Sequence, residues 1–455
     1  MREVSAAHFL AALPEACAAV VAAVIAEADA RRLAVYLVGG PVRDLLLGRD
    51  VGDVDLIVEQ GGDGRDPLEI LRAAAPPQAR VTEHDRFGTI TLKAFDVSVD
   101  LATVRRETYA YDGALPTVAA GSLEDDLRRR DFTINALALP LSRLALSRRA
   151  DVVDLADGVA DLERRRVRVL HPRSFHNDPT RALRAARLAP RLGFALTRGS
   201  RNALRDALRD GAFGRVSGDR LRREIVKLFE DARLGLDSAR ALRLLDDWHV
   251  LGALEPGLSL AREAAPALRR LGRVIVAPPW PSGRWNPWVS GVAVWLAPHA
   301  PSLRLRTLRR LSVRGAAVRR IGEFPRARDG WLRALGRARG RGAIDSVLSG
   351  LDEDQLHALL VCAPAPVQRR ILRYAAEDRA RRAPVSGEDL VAMGLRGPAV
   401  GRGLMRIRAA FLDGKVKTRD EALALARELG GARSSRGATA NRPKGAAKAR
   451  GAAGR

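Results

Sequence analysis

Three aspartates and a pair of glycines carry the chemistry that this chain could do. In YLVGGPVRDLLLGRDVGDVDLIVE, residues 36–59, a strand-like run ends in Gly39-Gly40, and a helix opens at Pro41, the favoured first helical position. Two glycines at such a turn let a phosphate approach the backbone. The helix N-terminus behind them supplies N–H groups and the positive end of a dipole. Arg43, in the first turn of that helix, is placed to grip phosphate oxygens with a fixed guanidinium. Asp53 and Asp55 follow at i and i+2 at the start of a strand, which puts both carboxylates on one face. Asp100, in VSVDLATV, adds a third carboxylate on what reads as an adjacent strand. Like charges this close repel unless a cation neutralises them. Oxygen ligands of this kind select Mg2+, which binds through one or two carboxylates plus substrate phosphates. Three acids at a strand edge beside a phosphate-cradling turn are the layout for two-metal phosphoryl or nucleotidyl transfer. A Gly-Gly turn by itself, or Asp53 by itself in GDVD, is ordinary turn chemistry; the set is what points to catalysis.

A second constellation lies in DPTRALRAARLAPRLGF, residues 178–194. Asp178 to Arg181 and Arg181 to Arg184 are both i,i+3, so these side chains share one helix face. A carboxylate beside a guanidinium offers an acceptor and several donors in one plane, enough to read the Watson–Crick edge of a C or an A without a template base. The same pattern also suits a salt-bridged basic helix surface, and the residues alone leave both readings open.

The elements that must hold these groups divide along the chain. Strand-like stretches crowd into the first third: 33–40, 54–59, 87–94 and 97–104 are rich in β-branched residues and bounded by Gly, Asp or charged turns. From about residue 155 the pattern is helical almost throughout. Stretch 277–301, with Pro278, Pro279, Pro281 and Pro287 among tryptophans, reads as a loop-rich junction. His84-Asp85, with no further His ligands nearby, reads as a surface turn.

Composition bounds the rest. The chain has 455 residues, room for two to four domains, and a hydrophobic share of 47% excludes wholesale disorder. Lys+Arg 78 against Asp+Glu 53 gives a formal charge of +25, which argues for a polyanionic partner, nucleic acid before a membrane surface. An Arg-rich genome would explain Arg over Lys, but not bases over acids. Between 301 and 341 there are thirteen arginines and two acids, Glu323 and Asp329, forming either a solvated face or a phosphate-tracking surface. Cys17 and Cys362 make neither a disulfide scaffold nor a zinc site, and that usage fits a reducing cytoplasm. The Ala-rich N-terminus is punctuated by Glu3, Glu15, Glu27 and Asp29 and reads as an amphipathic helix rather than a secretion signal. No run reaches the roughly 18 apolar residues of a membrane span. A soluble, cytoplasmic protein is expected.

The head resembles the class II tRNA nucleotidyltransferases, the group that holds bacterial CCA-adding enzymes and bacterial poly(A) polymerases. The resemblance rests on GGPVRDLLLG, the DVD pair, RRRDFTINALA (128–138), DPTRALRAARLAPRLGF (178–194) and VSGDRLRREIVKLF (216–229), in the family's order over about the first 230 residues. The segment 385–426 is more weakly similar to the family's tRNA-contacting tail. The resemblance implies an α+β fold: a polymerase-β-like nucleotidyltransferase head (1–140), then an all-α neck for nucleotide recognition (141–235), an RNA-binding body (236–380), a tRNA-binding tail (381–430) and a disordered basic end (431–455).

The activity so implied is template-independent addition of CCA to the tRNA 3′ end from CTP and ATP, with Mg2+ as cofactor and pyrophosphate released. Gly39, Gly40 and Arg43 would contact the phosphates, Asp53 and Asp55 would hold Mg2+, and Asp100 falls where the family keeps its third catalytic carboxylate. Arg130 and Asp131 would contact the nucleotide and its ribose, with Asn135 supporting that turn. Asp178 and Arg181 would read the base, and Arg184 and Arg187 would lie near the triphosphate. Residues 105–121 match the family's flexible loop beside the site. Asn177 stands where the family commonly has a Glu that orients the reading Arg. The choice among full CCA, CC only and A only is therefore left open, as are a poly(A) polymerase and, from another class, an RNA-binding protein with an inactive head. The sequence does not indicate an oligomeric state.

Overall fold

The computed structural model describes residues 4–59, 69–76, 79–84, 89–94, 97–142, 151–275, 277–280 and 286–437. They form two compact units. The first takes the chain up to Asp231 together with Leu236–Pro266 and His299–Val318; the second takes Ala232–Gly235, Ala267–Pro298 and the chain from Arg319 onward.

The first unit contains the α/β head. Its strands are β1 (Val35–Val38), β2 (Val54–Val58), β3 (Arg80–His84), β4 (Thr89–Ala94), β5 (Val97–Thr103), β6 (Arg105–Thr108), β7 (Thr117–Ala120), β8 (Leu137–Leu141) and β9 (Val153–Asp154). Seven of them make one sheet in the order β3-β4-β5-β2-β1-β8-β9. The central strands VYLV, VDLIV and VSVDLAT are rich in β-branched and large apolar residues, and Val35, Leu37, Leu56, Val99 and Leu101 are buried. β2 runs parallel to β5, whereas β1 runs antiparallel to both β2 and β8. Helix α1 (Glu15–Ala30) buries Cys17, Val20, Val21, Val24, Ile25 and Ala28, a stripe at helical spacing that packs on β5 and on the helix Glu69–Ala74.

β1, β2, β4 and β5 fall within the four stretches expected from sequence. β3 and β8 were not expected, because RVTEH is polar and LALPL carries a proline. The segment 105–121, expected as a flexible loop, contains a two-stranded antiparallel ribbon, Arg105↔Ala120 through Thr108↔Thr117. Thr and Val at its strand positions favour that pairing. His84 ends β3, and Asp85 lies outside the described residues.

Helices follow the sheet. α2 (Gly40–Leu46) leaves β1, and α3 (Leu123–Arg128) is closed by a capping box between Ser122 and Asp125. α4 (Ser174–Asn177) leads into α5 (Thr180–Leu192), which ends on Gly193 in the left-handed region at φ 73°. α6 (Arg198–Arg209) and α7 (Gly218–Glu230) begin on Thr197 and Ser217 caps. α5 packs against α7 and the helix Ser238–Asp247.

The second unit is helical. Stretch 277–301 is not simply a loop: Pro287–Leu296 forms a helix in which every residue but Trp288 is buried, because PWVSGVAVWL is apolar on nearly all sides. Its neighbour, Glu353–Cys362, is likewise buried along most of its length. Farther on, Leu390, Ile407, Val416, Ala422 and Ala426 form a small core of their own. The last helix runs to Gly437, so 431–437, expected to be disordered, is helical, and 438–455 lies outside the described residues.

Two glycine substitutions test the packing of the first unit. A Cβ on Gly158 would lie 2.3 Å from the backbone oxygen of Thr133, whereas one on Gly199, inside α6, would meet nothing within 4 Å. In urea unfolding, Gly158→Ala is expected to lose about 1–3 kcal/mol. Gly199→Ala should gain about 0.5–1 kcal/mol from its better helix propensity.

Candidate active site

The sheet register brings the acids together. Asp55 of β2 is the Cα partner of Asp100 on the parallel β5, so both carboxylates leave the sheet on one face from neighbouring strands. Asp53 lies just before β2. Burial, with the negative charges of Asp100 and Asp53, pushes the Asp55 carboxyl up to about 6, and Arg130 partly counters them. The Asp100 Oδ1 atom is buried without a hydrogen-bond partner. A buried carboxylate oxygen with unused lone pairs, beside a carboxyl raised by burial and by its like-charged neighbours, fits a site that would take a cation. Among the described residues, no three His, Cys, Asp or Glu side chains converge into a cage that would hold a metal unaided.

The glycine turn sits at the same end of the sheet. Leu37 pairs with Leu56, so the exit of β1 toward Gly39 lies beside the entry of β2 at Asp53–Asp55. Gly39 has φ 78°, and a Cβ there would lie 2.8 Å from the Arg130 guanidinium. Only glycine meets both demands. On the other side of β1, Val38 pairs with Ala138 of β8, and the Gly39 N–H donates to Leu137 O at 3.0 Å. This pairing carries the 3-10 turn Thr133–Asn135 up against α2. The Arg43 guanidinium is fixed there: Nε and Nη2 grip the two carboxylate oxygens of Asp44, each at 2.9 Å, and Nη1 donates to Asn135 Oδ1 at 2.6 Å. Asn135 in turn donates through Nδ2 to Asp131 Oδ1 at 3.0 Å. Arg130 is anchored through Nη2 to Asp126 Oδ2 at 2.9 Å, and Asp126 is fully buried between Arg129 and Arg130.

α5 contributes the opposite wall. Arg184, Arg187, Leu188 and Arg191 line a cleft of about 170 Å³ with Arg43, Asp131, Phe132 and Asn135. Their spacing puts them on one helix face. Arg184 bridges Asp131 Oδ2 at 3.3 Å and Asp178 Oδ2 at 2.9 Å, and Arg187 is held by Asp231 at 2.7 Å. Burial alone would raise the Asp131 and Asp178 carboxyls, but Arg184 and further donors outweigh it and hold both below the usual carboxylate range. Asp178 and Arg181 do not form the paired edge expected from their spacing. Asp178 closes α4 and is bonded by Arg184, Arg220 and Thr180, whereas Arg181 donates to Ser174 Oγ and to Arg129 O. Arg181 faces a second cavity, of about 180 Å³, shared with Asn177, His171 and Tyr109. Asp178 stands at the break between the two helices, in extended backbone before Pro179, so the i,i+3 rule for one continuous helix does not apply to it and Arg181.

Sequence reading missed four contributors. Asp44 clamps Arg43, buried Asp126 orders Arg129 and Arg130, Arg191 closes the cleft, and Arg220 bonds Asp178. Arg191 was recoverable as i+7 from Arg184, and Asp126 as i,i+3 and i,i+4 to the two arginines. Arg220 is 42 residues from Asp178 and left no local trace.

Comparison with known proteins decides the family. Residues 35–168 match the poly A polymerase head domain. Over 391 residues the chain is 35% identical to a CC-adding tRNA nucleotidyltransferase of Deinococcus radiodurans, covering 85% of this chain and 86% of that one. The chain belongs to the class II tRNA nucleotidyltransferases. It is also 32% identical over 415 residues to an A-adding tRNA nucleotidyltransferase of Geobacter sulfurreducens, covering 88% of this chain but only 46% of that longer one. Among solved structures, a CCA-adding enzyme in apo form II superposes with a TM-score of 0.72 at 25% identity, covering 95% of this chain and all of its own. The α/β head followed by helical regions is thus the architecture of this nucleotidyltransferase family, whose members generally use divalent metal ions.

In this class II tRNA nucleotidyltransferase the raised Asp55 carboxyl has two consequences of known sign. Between about pH 4 and 6 the folded chain keeps a proton that the unfolded chain has released, so this group costs stability as the pH rises through that window. A cation needs the ionised form, so divalent-ion affinity should fall by up to about tenfold per pH unit below about 6. In melts with EDTA, Asp55→Asn is expected to gain on the wild type as the pH rises from about 4 to 6. Excess Mg2+ near pH 7 should stabilise the wild type more than the variant. Parallel pH profiles for the two proteins would contradict the assignment.

Proposed function

We propose that this chain adds nucleotides, without a template, to the 3′ end of tRNA, drawing on CTP and ATP and releasing pyrophosphate. The observation that carries this reading is the placement of Asp53, Asp55 and Asp100 at the same sheet end as the Gly39 turn, with Asp55 and Asp100 in register and Asp100 Oδ1 unsatisfied. Asp53 and Asp55 would hold Mg2+, which when bound neutralises phosphate charge and polarises the reacting oxygens. The other roles belong to the chain itself. Gly39 and Gly40 leave the backbone open to the phosphates at the N-terminus of α2, and Arg43, locked by Asp44 and Asn135, meets them with no rotamer freedom left to lose. Arg130, anchored on Asp126 beside Gly39, would contact the same nucleotide, and Asp131 would face its ribose. Arg184 and Arg187, with Arg191, would balance the triphosphate. Asp178 and Arg181 would contact the base from the two sides on which they now lie. The 3′-hydroxyl of the RNA would attack the α-phosphate in line, and the bond to pyrophosphate would break.

The formal charge of +25 supports tRNA as the partner, recognised through its backbone and shape. The helix Ala316–Arg337 supports it further: Arg319, Arg326, Arg333 and Arg337 are exposed and recur at seven, seven and four residues, along one face. No helix among the described residues is long and apolar enough to cross a membrane, and a cytoplasmic site of action is part of this proposal.

A second reading has its own support. Two relatives that cover more than four fifths of this chain carry single-step names, A-adding and CC-adding, and Asn177 borders the cavity of Arg181 where the family commonly has Glu. A partial enzyme adding only A or only CC is therefore the alternative.

One assay separates these readings. Purified protein with Mg2+ is given tRNA transcripts ending before CCA, after C and after CC, with CTP, ATP or both, and the products are sized on a gel. Completion of all three to CCA is expected. Extension of the CC-ended transcript alone by A, or of the first two alone by C, would assign a partial enzyme. A long A ladder would assign a poly(A) polymerase, and no product would leave an RNA-binding protein. Asp55→Ala is expected to lower the rate by roughly 10^3-fold or more.

A further inference from the structure

We propose that the exposed arginines around the C-terminal end of α5 form an approach surface that draws the nucleoside triphosphate into the arginine-lined cleft. The proposal rests on the reading of that cleft as the seat of the triphosphate. Three stretches of chain meet there. Arg191, in the last turn of α5, lines the cleft with Arg187, and its carbonyl accepts from Arg49 Nη1 at 3.3 Å. The chain then turns through Gly193 into the short strand Ala195–Leu196, which pairs in parallel with Arg166–Val167. The Ala195 N–H donates to Arg165 O at 3.1 Å, and the Thr197 N–H to Val167 O at 3.0 Å. Arg198 follows directly as the first residue of α6.

The charge on these stretches is one-sided. Segments 49–50, 163–166 and 191–198 hold six arginines, Arg49, Arg164, Arg165, Arg166, Arg191 and Arg198, against two acids, Asp50 and Glu163. All six arginines are exposed, and none is ion-paired among the described residues. Inside the cleft the opposite holds, since Arg43, Arg184 and Arg187 each have a carboxylate. On the short ladder, Arg166 and its partner Ala195 are exposed while Val167 and Leu196 are buried, so Arg166 leaves toward water beside a small neighbour. Unpaired surface charge adds little to fold stability but acts at a distance, over ~10 Å at 0.1 M salt. A cluster of one sign beside a cleft raises the local concentration of an anion and its rate of association.

The position selects the triphosphate over the RNA. In an in-line displacement the attacking hydroxyl and the leaving pyrophosphate lie on opposite sides of the α-phosphate. Under the proposed function the arginines of α5 take the pyrophosphate side, so the RNA 3′ end enters from the other side and the patch lies behind the leaving group. The arrangement differs as well. The stripe on Ala316–Arg337 repeats along one helix, as a surface that follows a strand does. The six arginines here come from separate segments and gather at the end of one helix. Clamped arginines within the cleft orient the phosphates once they arrive, and the unpaired ones outside it set how often they arrive.

The test is stopped-flow binding of a fluorescent ATP analogue to the full chain without tRNA, at salt concentrations from about 0.05 to 0.5 M. Wild type is compared with the triple variant Arg164→Gln/Arg166→Gln/Arg198→Gln and with the same three positions changed to Lys. The Gln variant is expected to associate about tenfold more slowly at low salt, with the difference gone at high salt and the dissociation rate unchanged. The Lys variant keeps the charge and should match wild type, whereas a role that needs the guanidinium fork would not be rescued. In both variants kcat at saturating nucleotide and affinity for tRNA should stay at wild-type values. Equal association rates for wild type and the Gln variant at low salt, or a slowing that persists at high salt, would overturn the proposal while leaving nucleotidyl transfer intact. So would weaker tRNA binding with unchanged nucleotide association, which would make the patch an RNA surface. Wild-type protein that binds no nucleotide at any salt concentration would overturn the reading of the cleft and the proposal with it.

Discussion

A single hydrogen-bonded run of charged side chains, relayed through the neutral amide of Asn135, holds the cleft together: Asp44, Arg43, Asn135, Asp131, Arg184, Asp178 and Arg220, each bonded to the next. It starts on α2, crosses the turn that follows α3, and ends on α7, so it ties the sheet to the helices behind it. Desolvated charges are costly unless each is matched and hydrogen-bonded. Every member here has partners on two sides, or is clamped bidentately. The direction of the titrations fits this account. Burial works against the charged form of Asp131, Asp178 and Arg184, yet the two carboxyls are held below the usual range and the guanidinium above its own. Their mutual attraction exceeds what burial takes away.

The aspartates of β2 and β5 follow the opposite rule. Asp55 and Asp100 face each other across a parallel ladder with an oxygen left over, and Asp55 is pushed up to about 6 instead of down. A fold that satisfies one set of carboxylates so fully leaves this pair unsatisfied for a reason outside the polypeptide. In the proposed reaction a divalent cation would supply the positive charge that the pair lacks.

Local chemistry was legible in the sequence where it depends on spacing. The turn at Gly39-Gly40, the one-faced placement of Asp53 and Asp55 and the helical faces of α5 and α7 all follow from periodicity over a few residues. The adjacency of Asp100 could be guessed because two apolar strand-like runs had to pair. What stayed hidden came from tertiary contact. Asn135 reaches Arg43 only because β8 lies beside β1, and LALPL does not announce itself as a strand. Asp178 and Arg181 were expected side by side from i,i+3 spacing, but the chain breaks at Pro179 and the rule for one continuous helix does not apply. The ribbon at 105–121 was hidden by its own Gly and Pro, which mark the turn and not the strands on either side.

The placement of the positive charge completes the argument. Most arginines of the site are paired with carboxylates: Arg43 with Asp44, Arg129 and Arg130 with the shared Asp126, Arg184 with Asp131 and Asp178, and Arg187 with Asp231. These pairs add little to the +25 excess. The exposed arginines on Ala316–Arg337 stand opposite Ile321, Phe324 and Leu335, which face the interior. An apolar face fixes the helix, and the guanidinium stripe is then presented outward at a repeat of roughly 10 Å. Such a surface attracts a polyanion along its length. Under the proposed function, affinity for the nucleic acid would rest on this stripe and choice of the nucleotide on the cleft.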